Sequence, residues 1–402
     1  MKRVLLEDRP SSVDVADRRG RSAGVAAEAR ARRHVGDVAR PVDVEFSLAI
    51  HTHTGKYFIG RDILAAAPDL VDNVYYWLLA RRSPPTGLFG KVVGRLAHIH
   101  ACATTQGGPL MRRLPRRVPG RPLLHLDPFS VGTAALRPCD AVLIHDLGPL
   151  THPELFDPVI SRVYLPIYQE IARVGPHLVF VSQTSEREFW RLFPSARAAS
   201  RRVIYPAIRA EVGGGAEEAP AGVGGRFLLT VGSIGTRKNQ LRSLRAFAAS
   251  GLAARGVCYV LCGGREPGYE PVAELARATP GAVLLPYVTD RQLAWLYRAA
   301  EGFVLTSLLE GFGIPVAEAI SRGLVPLVSA SGVLEEVAGD QALLADPEDE
   351  PAIAEGMRRL VDMDETERQR RRLGLRAAIG RFEPAGFASD WRQALADIGS
   401  GS

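Results

Sequence analysis

Between residues 227 and 344, short apolar runs alternate with helix-length amphipathic segments, and that alternation leaves few folds open. Residues 227–231, 257–262, 282–285, 302–306, 325–328 and 342–344 read as strands. Helices are expected near 238–250, 290–300, 315–322 and 333–337. Asp290 is the expected N-cap of the second of these, with Leu293, Leu296, Tyr297 and Ala300 on one face. Strand and helix alternating in this way form a parallel sheet covered by helices on both sides. Such sheets bind ligands at the carboxyl ends of their strands. The loops after Val231 and Thr306 are therefore the places to look for chemistry.

Both loops carry residues suited to a polyhydroxylated, phosphorylated ligand. In Glu310-Gly311-Phe312-Gly313-Ile314-Pro315-Val316-Ala317-Glu318, two carboxylates flank a glycine turn and a proline. Pro315 suits the first turn of a helix and Gly323 its stop. Glu310 then lies in the loop, and Glu318 lies one turn inside the helix. Gly311 and Gly313 let backbone N–H groups approach a ligand. A helix start favours an anion, and acceptor-only carboxylates suit sugar hydroxyls. The plainer alternative is a turn with two solvated glutamates. In Val231-Gly232-Ser233-Ile234-Gly235-Thr236-Arg237-Lys238-Asn239, two adjacent cations follow a glycine loop. They suit a diphosphate, Arg as a planar fork and Lys as a point charge; otherwise they are a solvated helix start.

Further motifs are Ile144-His145-Asp146-Leu147, Val181-Ser182-Gln183-Thr184-Ser185-Glu186, Tyr287-Val288, and Val337-Ala338-Gly339-Asp340 with Asp346-Pro347. In this order and spacing the chain resembles the group 1 (family four) retaining glycosyltransferases, well over residues 140–350 and loosely over 41–140. The resemblance implies an α/β GT-B fold: two Rossmann-like doubly wound domains facing each other across a cleft. It also implies a nucleoside-diphosphate sugar as co-substrate and retention of the anomeric configuration.

The resemblance assigns roles to residues. Arg237 and Lys238 would hold the donor diphosphate and neutralise the leaving group. Glu310 would bind donor-sugar hydroxyls and Glu318 the ribose. Gly232, Ser233, Ile314 and backbone N–H groups near Phe312 and Gly313 would line the donor. Tyr287 and Val288, with Leu285, fall where the base sits, although Tyr287 reads equally as a core residue. His145 would contact the donor sugar from the first domain; the alternative is a core histidine capped by Asp146. Gly55 is the available match to the family's glycine loop. His51 and His53 form no evident metal site. No DxD-like motif stands at a strand end of the second domain, in keeping with a reaction that requires no metal cofactor. Ser182 and Ser185 read as helix caps, with Thr184 or Ser185 and Glu188 marking the helix start.

Domain boundaries follow composition. Residues 1–40 read as a disordered arm, and 41–210 as the N-terminal, acceptor-binding Rossmann-like domain. Residues 211–226, glycine-rich, are the linker. Residues 227–380 are the C-terminal nucleotide-sugar domain, and 381–402 a C-terminal helix returning to the first. The first half is expected to hold a strand over 42–50, a helix over 57–67, strands at 123–126, 141–144 and 177–181, and helices at 162–174 and 184–193.

Charge is unevenly spread. Residues 81–121 hold nine Arg or Lys and no acid. Arg112, Arg113, Arg116 and Arg117 in this block suit a phosphorylated acceptor or an anionic membrane surface; the alternative is a solvated arginine-rich loop. Nucleic acid is excluded by the lack of interleaved aromatic residues for base stacking. No stretch is long and apolar enough to span a bilayer, and no signal peptide is read. Cys102, Cys139, Cys258 and Cys262 form no CxxC pair and read as buried thiols. A cytoplasmic protein, peripheral on the inner face of the membrane, is expected.

The resemblance implies hexose transfer from a nucleoside-diphosphate sugar, and the expected donor for a chain with this His-Asp-Leu and Arg-Lys-Asn combination is GDP-mannose. The acceptor is a saccharide or lipid-linked saccharide in surface or extracellular polysaccharide biosynthesis. The alternatives are a sugar-nucleotide epimerase on the same architecture and a catalytically silent sugar-nucleotide-binding subunit. The intact set of Arg237, Lys238, Glu310 and Glu318 argues against silence.

Overall fold

The computed structural model describes residues 40–51, 55–108, 110–208 and 216–401. The expected arm (but for Arg40), His53 and the first glycines of the linker lie outside these residues. Two sheets carry the chain. The first contains β1 (Val42–Glu45), β2 (Val71–Tyr76), β3 (Leu79–Ala80), β4 (Leu123–His125), β5 (Ala141–Ile144), β6 (His177–Phe180) and β7 (Arg201–Val203). Their spatial order is β3-β2-β1-β4-β5-β6-β7, and only β3 is antiparallel.

The second sheet contains β8 (Arg226–Val231), β9 (Val257–Cys262), β10 (Ala282–Leu285), β11 (Gly302–Leu305), β12 (Pro326–Ser329) and β13 (Leu343–Ala345). Its order is β10-β9-β8-β11-β12-β13, all parallel. Strand order reverses between β8 and β11, so a crevice opens between their carboxyl ends. In the first sheet the reversal falls between β1 and β4. The central strands are apolar on both faces because helices cover both: every residue of β11, β12 and β5 is buried.

The last helix, Pro384–Ser400, leaves the second domain and packs on the helix Gly55–Ala66 and on β1. Arg392 pairs with Asp69 at 2.7 Å, and Trp391 is fully buried. Gly399 lies so close to the Arg40 carbonyl that a β-carbon would stand 2.1 Å from its oxygen. A second tie between the domains is a carboxylate. Glu336, in the helix Val333–Ala338, accepts from the backbone N–H groups of Gln183 and Thr184, both at 2.8 Å, and from the Thr184 hydroxyl at 2.6 Å. It satisfies free donors at the start of the helix Gln183–Leu192.

Several local expectations change. The first strand stops at Glu45 rather than running to residue 50. Ser47 turns its hydroxyl onto the Glu45 carboxylate, and Leu48–His51 coils into one helical turn. The cap of the helix Asp290–Ala299 is Thr289, not Asp290. Its hydroxyl accepts from Gln292 N–H at 3.2 Å, and the Gln292 side chain accepts from Thr289 N–H at 3.0 Å. Ser182 caps the Gln183–Leu192 helix as expected, its hydroxyl accepting from Ser185 N–H at 3.0 Å, but Thr184 and Ser185 lie inside the helix rather than at its cap, and Thr184 is engaged by Glu336. Residues 87–106, for which the sequence suggests no element, form a long helix, Gly87–Gln106. Of the four free cysteines only Cys262 is buried; Cys102, Cys139 and Cys258 are partly exposed. Among the described residues no helix is long and apolar enough to cross a membrane.

Candidate active site

The loop after β8 is shaped by close backbone contact. A β-carbon on Gly263 would stand 1.9 Å from the Gly232 carbonyl oxygen, so the loops after β8 and β9 lie backbone to backbone. Thr236–Lys238 then makes a 3-10 turn, and Asn239 takes a left-handed conformation at φ 60°. The Asn239 amide donates to the carbonyls of Thr306 at 2.9 Å and Pro347 at 2.7 Å, which fastens this turn to the end of β11. Gln240 closes the loop from inside, accepting from Gly235 N–H at 3.1 Å and donating to the Ser233 carbonyl at 2.8 Å.

The turn brings both cations onto Glu310. Lys238 Nζ lies 2.5 Å from Glu310 Oε1, and Arg237 Nη1 lies 3.6 Å from Oε2. The Ser307 hydroxyl donates to Glu310 Oε1 at 2.8 Å. Arg237 also reaches Glu266 Oε1 at 2.9 Å and the Leu309 carbonyl at 3.2 Å. Burial pushes the Glu310 carboxyl up, but Lys238 and then Arg237 outweigh it and hold it below the ordinary carboxylate range. Three of the residues assigned by resemblance are thus one cluster.

Glu310 leads into the helix Ile314–Ser321, whose N-terminus faces the first domain. Gly313, at φ 93°, needs glycine for that turn. Gly55 begins the facing helix Gly55–Ala66, and a β-carbon there would stand 3.2 Å from the Ile314 Cδ1. Two helix starts therefore converge on the cleft, each directing a positive dipole end at it. The Phe312 ring is buried against Phe382, centroids 5.0 Å apart, and Tyr205 at 6.1 Å. It anchors the loop and leaves only backbone to the site.

His145 enters from the end of β5. It is buried, and its Nε2 donates to the Leu126 carbonyl at 2.8 Å. Burial first, and Lys56 second, push its pKa down to about 4, so the ring is neutral. Asp146 does not cap it: the Asp146 carboxylate accepts from Gly148 N–H at 3.0 Å. The His145 carbonyl meets Gly311, where a β-carbon would stand 2.7 Å away.

Beside His145 lies a pair that the motifs did not reveal. Lys56 Nζ sits 3.0 Å from Asp127 Oδ2, and the Tyr164 hydroxyl donates to Asp127 Oδ1 at 3.0 Å. Burial pushes the Asp127 carboxyl up, yet the Lys56 ammonium beside it outweighs this and brings it below the ordinary range. Lys56 follows Gly55 directly, and Asp127 follows β4. The position at the reversal of the first sheet was the available signal.

Other assigned residues stand apart from this cluster. Glu318 is buried one turn into its helix, and the Tyr297 hydroxyl donates to its Oε2 at 3.1 Å. Tyr287 is 80% exposed, which rules out the core alternative, and Val288 beside it is half-buried. The basic quartet splits. Arg112 and Arg113 are exposed, but Arg116 pairs with Glu170 at 2.9 Å, and the Arg117 guanidinium lies 3.7 Å over the Tyr75 ring.

Parts of the chain are similar to known proteins. Residues 217–377 match the sequence profile of the family glycosyl transferases group 1. O-antigen chain mannosyltransferase B of Escherichia coli is 35% identical over 133 residues, which cover 32% of this chain and 35% of that protein. MMP alpha-(1->4)-mannosyltransferase of Mycolicibacterium hassiacum is 37% identical over 90 residues, 22% of this chain and 21% of that one. The chain thus spans about a third or less of the length of these relatives. The alpha,alpha-trehalose 6-phosphate synthase of Burkholderia multivorans superposes with a TM-score of 0.56 at 14% identity, over 88% of this chain and 83% of that one. The E. coli trehalose-6-phosphate structure with UDP-2-fluoro glucose gives 0.55 at 14%, over 87% and 85%. At such identity these two share the fold.

Proposed function

We propose that this chain, a group 1 glycosyltransferase with the GT-B fold, moves a hexose from a nucleoside-diphosphate sugar to a saccharide or lipid-linked saccharide acceptor. The reaction retains the anomeric configuration, needs no metal, and serves surface or extracellular polysaccharide synthesis. Mannose, from GDP-mannose, is the hexose favoured by the names of the relatives matched.

One observation carries the reading: Arg237 and Lys238 are both held on Glu310 where two helix starts meet. Diphosphate oxygens drawn to the two cations would take over the place of the Glu310 carboxylate. Glu310 is then available to accept from donor-sugar hydroxyls. As the bond from the sugar carbon to the phosphate oxygen breaks, negative charge grows on that oxygen. Cations and N–H groups fixed there beforehand stabilise it without reorganising. The acceptor hydroxyl attacks from the same face, and its proton passes to the leaving phosphate. His145, neutral and bonded to Leu126, shapes the sugar's side of the pocket and is no proton donor at ordinary pH.

A thermal-shift screen of GDP, UDP and ADP, with and without their hexoses, tests the reading, because a ligand that binds the native state raises its melting temperature. One nucleotide series is expected to stabilise, and its sugar to be consumed only when an acceptor is added. No shift with any nucleotide overturns the reading. Interconversion of the sugar nucleotide without acceptor would make the chain an epimerase, and binding without turnover a silent subunit.

A further inference from the structure

The helix Gly87–Gln106 is built inside out. Its packed face is Gly90, Val93, Gly94, Ala97 and Ala101, all small or medium side chains. Its large apolar residues point the other way: Leu88 is 79% exposed, and Phe89, Val92, Leu96 and Ile99 are each about half exposed. Leu88, Val92, Leu96 and Ile99 recur at helical spacing and form one outward stripe. Lys91 and Arg95 flank it, both exposed. The segment after the helix repeats the pattern, with Leu110 82% exposed, Met111 and Leu114 also exposed, and Arg112 and Arg113 between them.

This is the main apolar surface of the described chain. Of its sixteen exposed large apolar side chains, ten fall between Leu78 and Val118. Val159, Ile160 and Leu165 add to them from the helix Pro158–Val174, which packs on Gly87–Gln106; Gln106 Nε2 donates to the Val159 carbonyl at 3.0 Å. An apolar patch this concentrated marks an interaction surface.

Charge selects the occupant. Residues 81–121 carry nine basic side chains and no acid. Arg116 and Arg121 are paired with Glu170 and Asp72, and Arg117 lies on Tyr75. Arg81, Arg82, Lys91, Arg95, Arg112 and Arg113 remain exposed around the apolar stripe. A second copy docked by a twofold would set these six cations against six more. An apolar stripe flanked by lysine and arginine instead fits a lipid surface with anionic headgroups.

We propose that the outward face of Gly87–Gln106, with the 110–114 segment, lies in the interface of an anionic membrane. The helix packs against Leu48–His51, Pro128–Gly132 and Pro158–Val174, two of which directly follow the carboxyl ends of β1 and β4. Docking there sets the rim of the cleft at the headgroups. That this positions a lipid-linked acceptor rests on the glycosyltransferase reading; the docking itself does not.

Sedimentation with vesicles of phosphatidylcholine alone, or mixed with phosphatidylglycerol, tests it at low and high salt. The wild type is expected to pellet with the mixed vesicles and to release in salt. Leu88→Ser with Phe89→Ser and Val92→Ser should weaken binding by about tenfold or more, as should Lys91→Ser with Arg95→Ser, Arg112→Ser and Arg113→Ser. These residues lie outside the core and the donor site, so melting temperature and nucleotide-induced shift should stay as in the wild type. Absence of wild-type binding, binding that neither variant changes, or equal binding to phosphatidylcholine alone overturns the proposal. So does a wild-type dimer in solution that the Leu88→Ser set dissociates, which would assign the face to a second copy. Vesicle binding without any nucleotide shift would sink the catalytic reading and leave the docking standing.

Discussion

Lys238 and Glu310 form an ion pair, Nζ to Oε1 2.5 Å, with both side chains less than a tenth exposed. The pair belongs to a balanced group: Arg237 and Lys238 face Glu310 and Glu266. An entering diphosphate therefore meets cations that already have partners. Its attraction comes from the two helix starts and from whatever charge Glu310 gives up as it turns to another partner.

Removing either cation should be felt mainly in the rate. Arg237→Ala or Lys238→Ala withdraws charge where the leaving phosphate becomes more negative, worth about 3 kcal/mol or roughly a hundredfold in turnover. A folded Lys238→Ala protein that turns over like the wild type would remove this role.

The two glutamates should separate when free nucleoside diphosphate is titrated without sugar. Glu310→Gln removes the carboxylate that competes with phosphate for Lys238, so binding should stay equal or tighten while sugar transfer falls. Glu318→Gln keeps a partner for the Tyr297 hydroxyl but loses the charge proposed to hold the ribose. Charge-assisted hydrogen bonds of this kind contribute roughly 1.5–3 kcal/mol, so the nucleotide should bind about ten- to a hundredfold more weakly. Calorimetry giving the same change for both variants would contradict the division of labour.

Glu266 offers a gain-of-binding test. It holds Arg237 Nη2 at 2.9 Å from the loop after β9, and both side chains are about a quarter exposed. Glu266→Gln should leave Arg237 freer for phosphate and tighten nucleoside diphosphate binding severalfold, by roughly 0.5–1 kcal/mol for so exposed a pair. Weaker binding in this variant would mean that Glu266 positions Arg237 rather than competing for it.

The second sheet was legible because its strands are apolar on both faces and are separated by amphipathic helices. Residues 302–306 and 257–262 were placed to within a residue or so. The cluster at Glu310 was legible because glycine, cation and carboxylate sit in short local motifs. Lys56 and Asp127 were not, since they lie 71 residues apart and meet only through strand order. The Gly87–Gln106 helix was hidden for another reason. Apolar residues on its packed face and on its outward face together erase the periodicity that reveals an ordinary surface helix. The cap at Thr289 was missed because Asp290 beside it is itself a good cap residue, whereas the capping box closes between Thr289 and Gln292.

Acid should destabilise the fold through buried histidines. Burial drives His125 and His145 down from an ordinary 6.5 to about 4. The unfolded chain therefore takes up these protons first as pH falls. Their contribution is complete above about pH 6.5 and is lost between there and about pH 4, at up to ~1.4 kcal/mol per pH unit for each proton. His100 and His177, also lowered by burial, act in the same direction. Glu45 opposes them, because burial raises its carboxyl and its share is lost as pH rises; one group does not offset four. The melting temperature should fall steadily from pH 6.5 to 4.5. His145→Asn, which keeps a donor for the Leu126 carbonyl, should show a shallower fall. A melting temperature that is flat or rising toward pH 4.5 would mean that the two imidazoles are not held neutral in the fold.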